Sequence, residues 1–269
     1  MNGNAALAGH VDLAPYLARV GYHGPLDASV DTLQALHLAH VSHIPFENVD
    51  VLLGRGVDLD PAALERKLVA DSRGGYCFEH NLLFSGVLET LGFELTRLTA
   101  RVRFGAAGRV RPRTHMLLLV TVAGSQWIAD VGFGSDGLVL PVPFSPDTES
   151  PQGLRTYRVV QEGGWWVMQA KRDVDWVDLY VFSLDAHERI DYEVLNHYTA
   201  THPRSIFRSL LMAQLSSLER RLMLHNRQLT IETAAGTTTR TLSEQDVVAA
   251  LRDTFGLQLP PGTTLQVPE

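Results

Sequence analysis

The chain contains a single cysteine, Cys77. No intramolecular disulfide can form from it and no cysteine-rich zinc site can be assembled around it, so the core has to hold the fold without staples. Positive charge is also scarce. Lys and Arg number 23 against 30 Asp and Glu, a net charge of −7 with histidine neutral. That balance argues against a sequence-independent binder of DNA, RNA or anionic membranes, which needs a clustered cationic excess. No apolar run approaches the ~20 residues that span a bilayer. The N-terminal residues Met1 to Asn4 carry none of the basic charge of a secretory leader. These absences predict a cytosolic protein with no nucleic-acid partner and no membrane association.

What the chain does have is an ordinary globular composition, 45% hydrophobic and 20% charged over 269 residues. That length suits one large domain or two to three small ones. Its first third reads as helices. A short amphipathic segment spans Asp12 to Val20, and Val30 to Ser42 places Leu33, Leu36 and either His37 or His40 at helical spacing before Pro45. Asp60-Pro61 is an N-cap followed by a first-position proline and predicts a helix through Ala70. Another is predicted from Cys77 to Gly92, with Leu82, Leu83, Val87, Leu88 and Leu91 as its buried stripe. From Leu98 the period shifts toward 2, predicting strands at 98–104, 115–122, 126–131, 156–161 and 165–171 and hence an antiparallel sheet or barrel. The proline-rich stretch Pro141 to Gly153 reads as a long surface loop. A helix around 186–198 follows, then strands at 206–215, 221–225 and 228–233, and a last helix capped by Ser243 with Gly256 beyond its end.

Two motifs lose their functional reading in context. Gly132 to Gly137 matches G-x-G-x-x-G, but Leu138-Val139-Leu140-Pro141-Val142-Pro143 follows and cannot open the helix a dinucleotide site requires. His37, His40 and His43 step around a helix by about 300° each, so their rings do not converge on a metal. The run Arg101, Arg103, Arg109, Arg111 and Arg113 reads first as a solvated loop, with phosphate contact by one or two arginines as the alternative.

Chemistry gathers at Arg73-Gly74-Gly75-Tyr76-Cys77, a glycine turn leading into a helix. A thiol at a helix N-terminus has its pKa lowered by the partial positive charge there, although lone cysteines are often simply buried. A nucleophilic cysteine needs a histidine partner, itself oriented by a carboxylate or amide. His115 begins a strongly apolar strand and Asp130 ends the next. If Ala123-Gly124-Ser125-Gln126 is the hairpin turn, Asp130 lies opposite Leu119, on the face of His115 but roughly 13 Å along the strand. His80, one turn after Cys77, competes for the base role and is expected to be structural.

At these residues the sequence resembles the arylamine N-acetyltransferase family. The likeness is carried by Leu36-His37 with His40 and Ile44-Pro45-Phe46-Glu47-Asn48-Val49-Asp50, by Arg73-Gly74-Gly75-Tyr76-Cys77, by Arg113-Thr114-His115-Met116, and by Asp130-Val131-Gly132-Phe133-Gly134. A weaker segment runs from Asp191-Tyr192 through Asn196 to Thr201-His202-Pro203, Ser205 and Phe207. The resemblance implies an α+β fold: a helical bundle over 1–97, an antiparallel β-barrel over 98–203 and an α/β lid over 204–269, the first two related to papain-like proteases and transglutaminases. It implies a catalytic triad of Cys77, His115 and Asp130. Thr114, Gly132, Phe133 and Phe207 are implied to line the substrate cleft, with Phe46 and Val102 adding to its apolar wall, and Glu47 with Arg73 forms a structural pair. The implied activity is ping-pong N-acetylation of arylamines, arylhydrazines and hydrazides through an acetyl-cysteine. Acetyl-CoA or another acyl-CoA is the co-substrate, and no metal or bound cofactor is implied. A cysteine amide hydrolase and a macrolactam-forming amide synthase are the alternatives.

Overall fold

Local capping cues set the helices of the computed structural model, which describes residues 11–134, 136–265 and 267. Met1 to Asn4 and Ser135 lie outside the described residues. Asp12 caps α1 (Leu13–Val20) by accepting from Ala14 N–H, and Gly21 closes it in the left-handed conformation. Ser29 caps α2 (Val30–His43), which leads into the short strand β1 (Phe46–Glu47) and helix α3 (Val49–Leu52). Asp60 caps α4 (Pro61–Leu64), but the α-helix expected through Ala70 widens into a π-helical turn over Glu65–Ala70. From that turn Lys67 reaches inward to Asp50 at 2.8 Å and Glu79 at 2.7 Å. The helix α5 (Cys77–Thr90) is buried on every side from Cys77 to Leu88, more completely than a single apolar stripe implies.

Eight strands then form one antiparallel sheet: β2 (Glu94–Val102), β3 (Arg113–Val122), β4 (Ser125–Ala129), β5 (Val142–Pro143), β6 (Ser150–Gln152), β7 (Arg155–Glu162), β8 (Trp165–Arg172) and β9 (Asp175–Phe182). Their order is β5-β4-β3-β2-β9-β8-β7-β6. The sheet curls nearly into a barrel, because Pro146 bridges Val159 of β7 and Asp147 N–H donates to the Val159 carbonyl. Two expectations are corrected. The strand β9 had no counterpart in the pattern, since the polar starts Asp175 and Asp178 mask the run Val177, Leu179, Val181. The stretch from Pro141 to Gly153 is not a free loop: Val142 is buried, and the buried Gln152 amide accepts from Val139 and Leu140 N–H and donates to the Leu140 carbonyl.

After α6 (Arg189–Thr201) comes a 3-10 turn, Ile206–Arg208, where a strand from 206 was expected. Asn48 explains it, donating to the Phe207 and Leu210 carbonyls at 2.7 Å each and so drawing that backbone away from ladder pairing. The second sheet begins only at β10 (Met212–Ser216) and continues through β11 (Arg220–His225), β12 (Gln228–Thr233) and the polar edge strand β13 (Gly236–Thr241). Its other edge is β1, so the segment before the cysteine turn is paired with the C-terminal third. Ser243 caps α7 (Glu244–Asp253) as its sequence suggests. No helix of the described residues is long and apolar enough to cross a membrane.

A half-buried clasp joins the two sheets. Arg155 of β7 donates to both carboxylate oxygens of Glu232 on β12, at 2.6 and 2.7 Å, and to Asp136 at 3.0 Å. Removing Arg155 takes the bidentate partner from part-buried Glu232 while Asp136 keeps Arg172, so Arg155→Met is expected to cost about 2 kcal/mol in urea unfolding. Arg252→Met, whose pair with Asp253 is fully exposed, is expected to leave the urea midpoint essentially unchanged in the same measurement.

Candidate active site

The positions of His115 and Asp130 are set by the β3–β4 hairpin. Its loop residues are Ala123 and Gly124, both with positive φ (49° and 79°), the pattern of a type I′ turn. Val122 therefore faces Ser125, and Leu118 faces Ala129. The turn sits one residue earlier than the expected one, with Gly124 in its second loop position. This shifts Asp130 by two residues toward His115, and the expected 13 Å gap is halved. The remainder closes because β4 ends at Ala129 and Asp130 turns out of the ladder, its N–H accepted by His37 Nε2 at 3.2 Å.

His115 Nε2 meets Asp130 Oδ2 at 2.7 Å, with both side chains almost fully buried. The other carboxylate oxygen accepts from Asn81 Nδ2 and from Gly132 N–H, each at 3.0 Å. Asn81 also donates to the Met116 carbonyl at 2.8 Å and accepts from Val131 N–H at 3.1 Å, tying α5 to β3 and to the segment after β4. Cys77, first residue of α5, carries its thiol 3.5 Å from the Thr114 carbonyl and lies close enough to the His115 ring to favour its charged form. Gly132 permits this approach: a Cβ there would lie 2.7 Å from Cys77 Cα and 2.8 Å from Asn81 Nδ2, so no side chain fits.

Electrostatics follow from these contacts. Burial works against a charge on His115, but the Asp130 carboxylate, its hydrogen bond and Cys77 outweigh it and push the imidazole up to about 10. Burial likewise opposes charge on Asp130, yet His115, Asn81 and the Gly132 N–H hold its carboxyl below the usual range. His37 and His80 lack such a carboxylate contact and burial pulls both down to about 4. His37 stays neutral, donating from Nδ1 to the Val139 carbonyl. His80 bonds His40 and the Pro45 carbonyl, the structural part its position suggested. His43, by contrast, is exposed, and among the described residues no group of three or more His, Cys, Asp or Glu side chains is placed to hold a metal ion.

Cys77 and His115 open onto a cavity of about 520 Å³. Thr114, Gly132, Phe133, Phe207, Phe46 and Val102 all line it, while Asp130 stands behind the His115 ring. Phe133 packs its edge on His115 at 5.1 Å, and Phe46 and Phe207 lie 6.1 Å apart. Sequence reasoning missed Asn81, His37 and Tyr180. Asn81 had a signal, a polar residue inside an apolar helix one turn after the cysteine. Tyr180 had none, because β9 was unseen; its ring lies 4.8 Å from His115. Glu47 and Arg73 do pair, with Arg73 Nη2 2.6 Å from Glu47 Oε1 and 3.2 Å from Asp50. A second cavity of about 560 Å³ adjoins the first and shares Val102, Phe104, Gly105 and Arg111 with it. Its lining includes Arg101, Arg103 and Arg109, so the arginine run is not simply a solvated loop. Arg103 is paired with Asp178 and Glu162, whereas the Arg109 guanidinium has no partner among the described residues.

A family model described as N-acetyltransferase matches residues 29–264. An arylamine N-acetyltransferase of Escherichia coli is 43% identical over 73% of this chain and 70% of its own length. One from Mycobacterium bovis is 38% identical over 93% of this chain and 90% of its own. The structure of a Mycobacterium marinum arylamine N-acetyltransferase in complex with CoA aligns at a TM-score of 0.88 and 38% identity, covering 92% of this chain and 93% of that one.

The raised His115 value gives a pH dependence with a definite sign. Its folded pKa exceeds the unfolded value near 6.5, so its contribution to stability is complete below that pH and is lost as pH rises through about 10. NMR titration of the labelled histidine ring is expected to find His115 protonated through pH 8. In Asp130→Asn the midpoint is expected to fall to its ordinary value or below. A wild-type midpoint near 6 would contradict the assignment.

Proposed function

The chain belongs to the arylamine N-acetyltransferase family, and from that premise we propose that Cys77, His115 and Asp130 carry out acetyl-CoA-dependent N-acetylation of arylamines, arylhydrazines and hydrazides. The observation that carries this reading is the 2.7 Å His115–Asp130 contact beside the only cysteine, at the wall of an aromatic-lined cavity. On the same reading, the divisions 1–97, 98–203 and 204–269 are bundle, barrel and lid, the core is related to papain-like enzymes, and the protein works in the cytosol, where its one thiol stays reduced.

Asp130 keeps a proton on His115, and the imidazolium stabilises the Cys77 sulfur as the attacking anion. Cys77 Sγ adds to the acetyl carbonyl of acetyl-CoA. First-turn N–H groups of α5, which have no partner inside the helix, face the charge that develops on oxygen. The C–S bond to CoA breaks, the CoA sulfur takes the His115 proton, and an acetyl-cysteine remains. The acceptor nitrogen then attacks this thioester between Phe46, Phe133 and Phe207, passes its proton to His115 and leaves as the amide, restoring Cys77. Two half-reactions at one cleft give ping-pong kinetics.

The donor's phosphates find their match in the arginine-lined cavity beside the cleft. Among the described residues Arg109 has no partner of its own, and Arg111 lines both cavities while donating to the Gly105 carbonyl. The CoA bound by the Mycobacterium marinum relative supports a donor of this kind.

Intact-protein mass spectrometry after mixing with acetyl-CoA is expected to show one acetyl adduct that persists in water and is discharged by an arylamine. Cys77→Ala and Cys77→Ser should show none, and a folded Asp130→Asn variant should lose activity by about a hundredfold or more. An adduct lost to water alone would make the protein a hydrolase. Arg109→Ala is expected to raise the KM for acetyl-CoA by about threefold to tenfold while leaving that for the phosphate-free donor p-nitrophenyl acetate unchanged. Equal effects on both donors would remove Arg109 from phosphate binding.

A further inference from the structure

A chain of polar groups crosses the core of the helical region without touching the reacting atoms. Tyr16 of α1 hydrogen-bonds His40 Nδ1 of α2 at 3.0 Å, His40 Nε2 meets His80 Nδ1 of α5 at 2.9 Å, and His80 Nε2 meets the Pro45 carbonyl at 3.2 Å. All three side chains are fully buried. Only one neutral proton arrangement satisfies it. The Pro45 carbonyl can only accept, so His80 Nε2 carries the hydrogen and its Nδ1 accepts. His40 Nε2 must then donate, its Nδ1 accepts, and the Tyr16 hydroxyl donates. Apolar side chains would fill this space without the cost of burying three polar groups, so their presence points to a requirement for geometry.

The end of the chain supplies that requirement. Pro45 and Phe46 are threaded between His80 and the turn before Cys77: a Cβ on Gly74 would lie 1.9 Å from the Pro45 carbonyl, and Glu47 N–H donates to the Gly75 carbonyl at 2.7 Å. The Phe46 ring lies nearly parallel to the His80 ring, 14° apart with centroids 6.4 Å distant, and lines the cavity on its other side. His115 and Asp130 are held by different groups, Asn81, His37 and Gly132, none of which belongs to the chain.

We propose that Tyr16, His40 and His80 are positioning residues that hold Phe46 in place for the amine acceptor, so that they govern the second half-reaction and not the first. This rests on the acetyl-transfer reading above. The test compares the half-reactions in the full chain. His40→Leu is expected to form the acetyl-cysteine within about twofold of the wild-type rate while the KM for an arylamine rises about tenfold. His40→Gln, which can accept from Tyr16 and donate to His80, is expected to restore that KM. Tyr16→Phe breaks only the first link and should give an intermediate KM should His40→Leu not fold. Changes in thermal stability with an unchanged arylamine KM would make the chain merely structural, and an equal loss in acylation would place its action on the nucleophile; either overturns the proposal. If the wild type is not acylated by acetyl-CoA, the acetyl-transfer reading fails by itself. The ring NMR signals of Phe46 then decide, since the proposal requires them to shift in Tyr16→Phe and to return toward wild type in His40→Gln relative to His40→Leu.

Discussion

The carboxylate of Asp130 is the point on which the site depends. A fully buried charge is tolerable only when its partners meet nearly all its lone pairs, and here His115, Asn81 and the Gly132 N–H do so while His37 holds the backbone N–H. These partners come from α2, α5, β3 and the segment after β4. The same contacts that satisfy the charge therefore fix how the helices pack on the sheet. Chemistry and architecture share one set of hydrogen bonds, and the glycine at 132 is required because the Cys77 backbone occupies the space of its side chain.

Around that point the interior is more polar than an acidic globular chain of ordinary composition suggests. Glu47, Arg73, Asp50, Lys67 and Glu79 form a continuous ion-paired line behind the cysteine turn, and Glu79 also accepts from Tyr76 N–H at 2.9 Å. Tyr16, His40 and His80 cross beside it. Such networks are costly if any member is lost, so they specify one arrangement of the turn more strongly than they add stability. The π-helical turn at Glu65–Ala70 belongs to the same device, since it accompanies the inward course of Lys67.

Much of the local structure was legible. Asp60 and Ser243 each start the helix their side chains announce, because capping is settled within a few residues. Departures occur where a distant group intervenes. Asn48 bends the backbone at 206–211, Gln152 draws the proline-rich stretch inward, and Lys67 accompanies a widened turn. Strand β9 escaped notice because Asp175 and Asp178 interrupt its apolar pattern, and Asp178 is met by Arg103 from 75 positions away.

By itself the sequence determined the chemistry available: one cysteine at a helix start after a glycine turn, a histidine opening an apolar strand and an aspartate closing the next, in segments that carry a family likeness. Only the tertiary structure decided how these meet. The hairpin register hinges on which residues take positive φ, and a shift of one residue in the turn moves Asp130 by two along its partner strand. The cavity, the arginines beside it and the buried histidine chain depend on contacts between residues tens to more than a hundred positions apart, which no local pattern encodes.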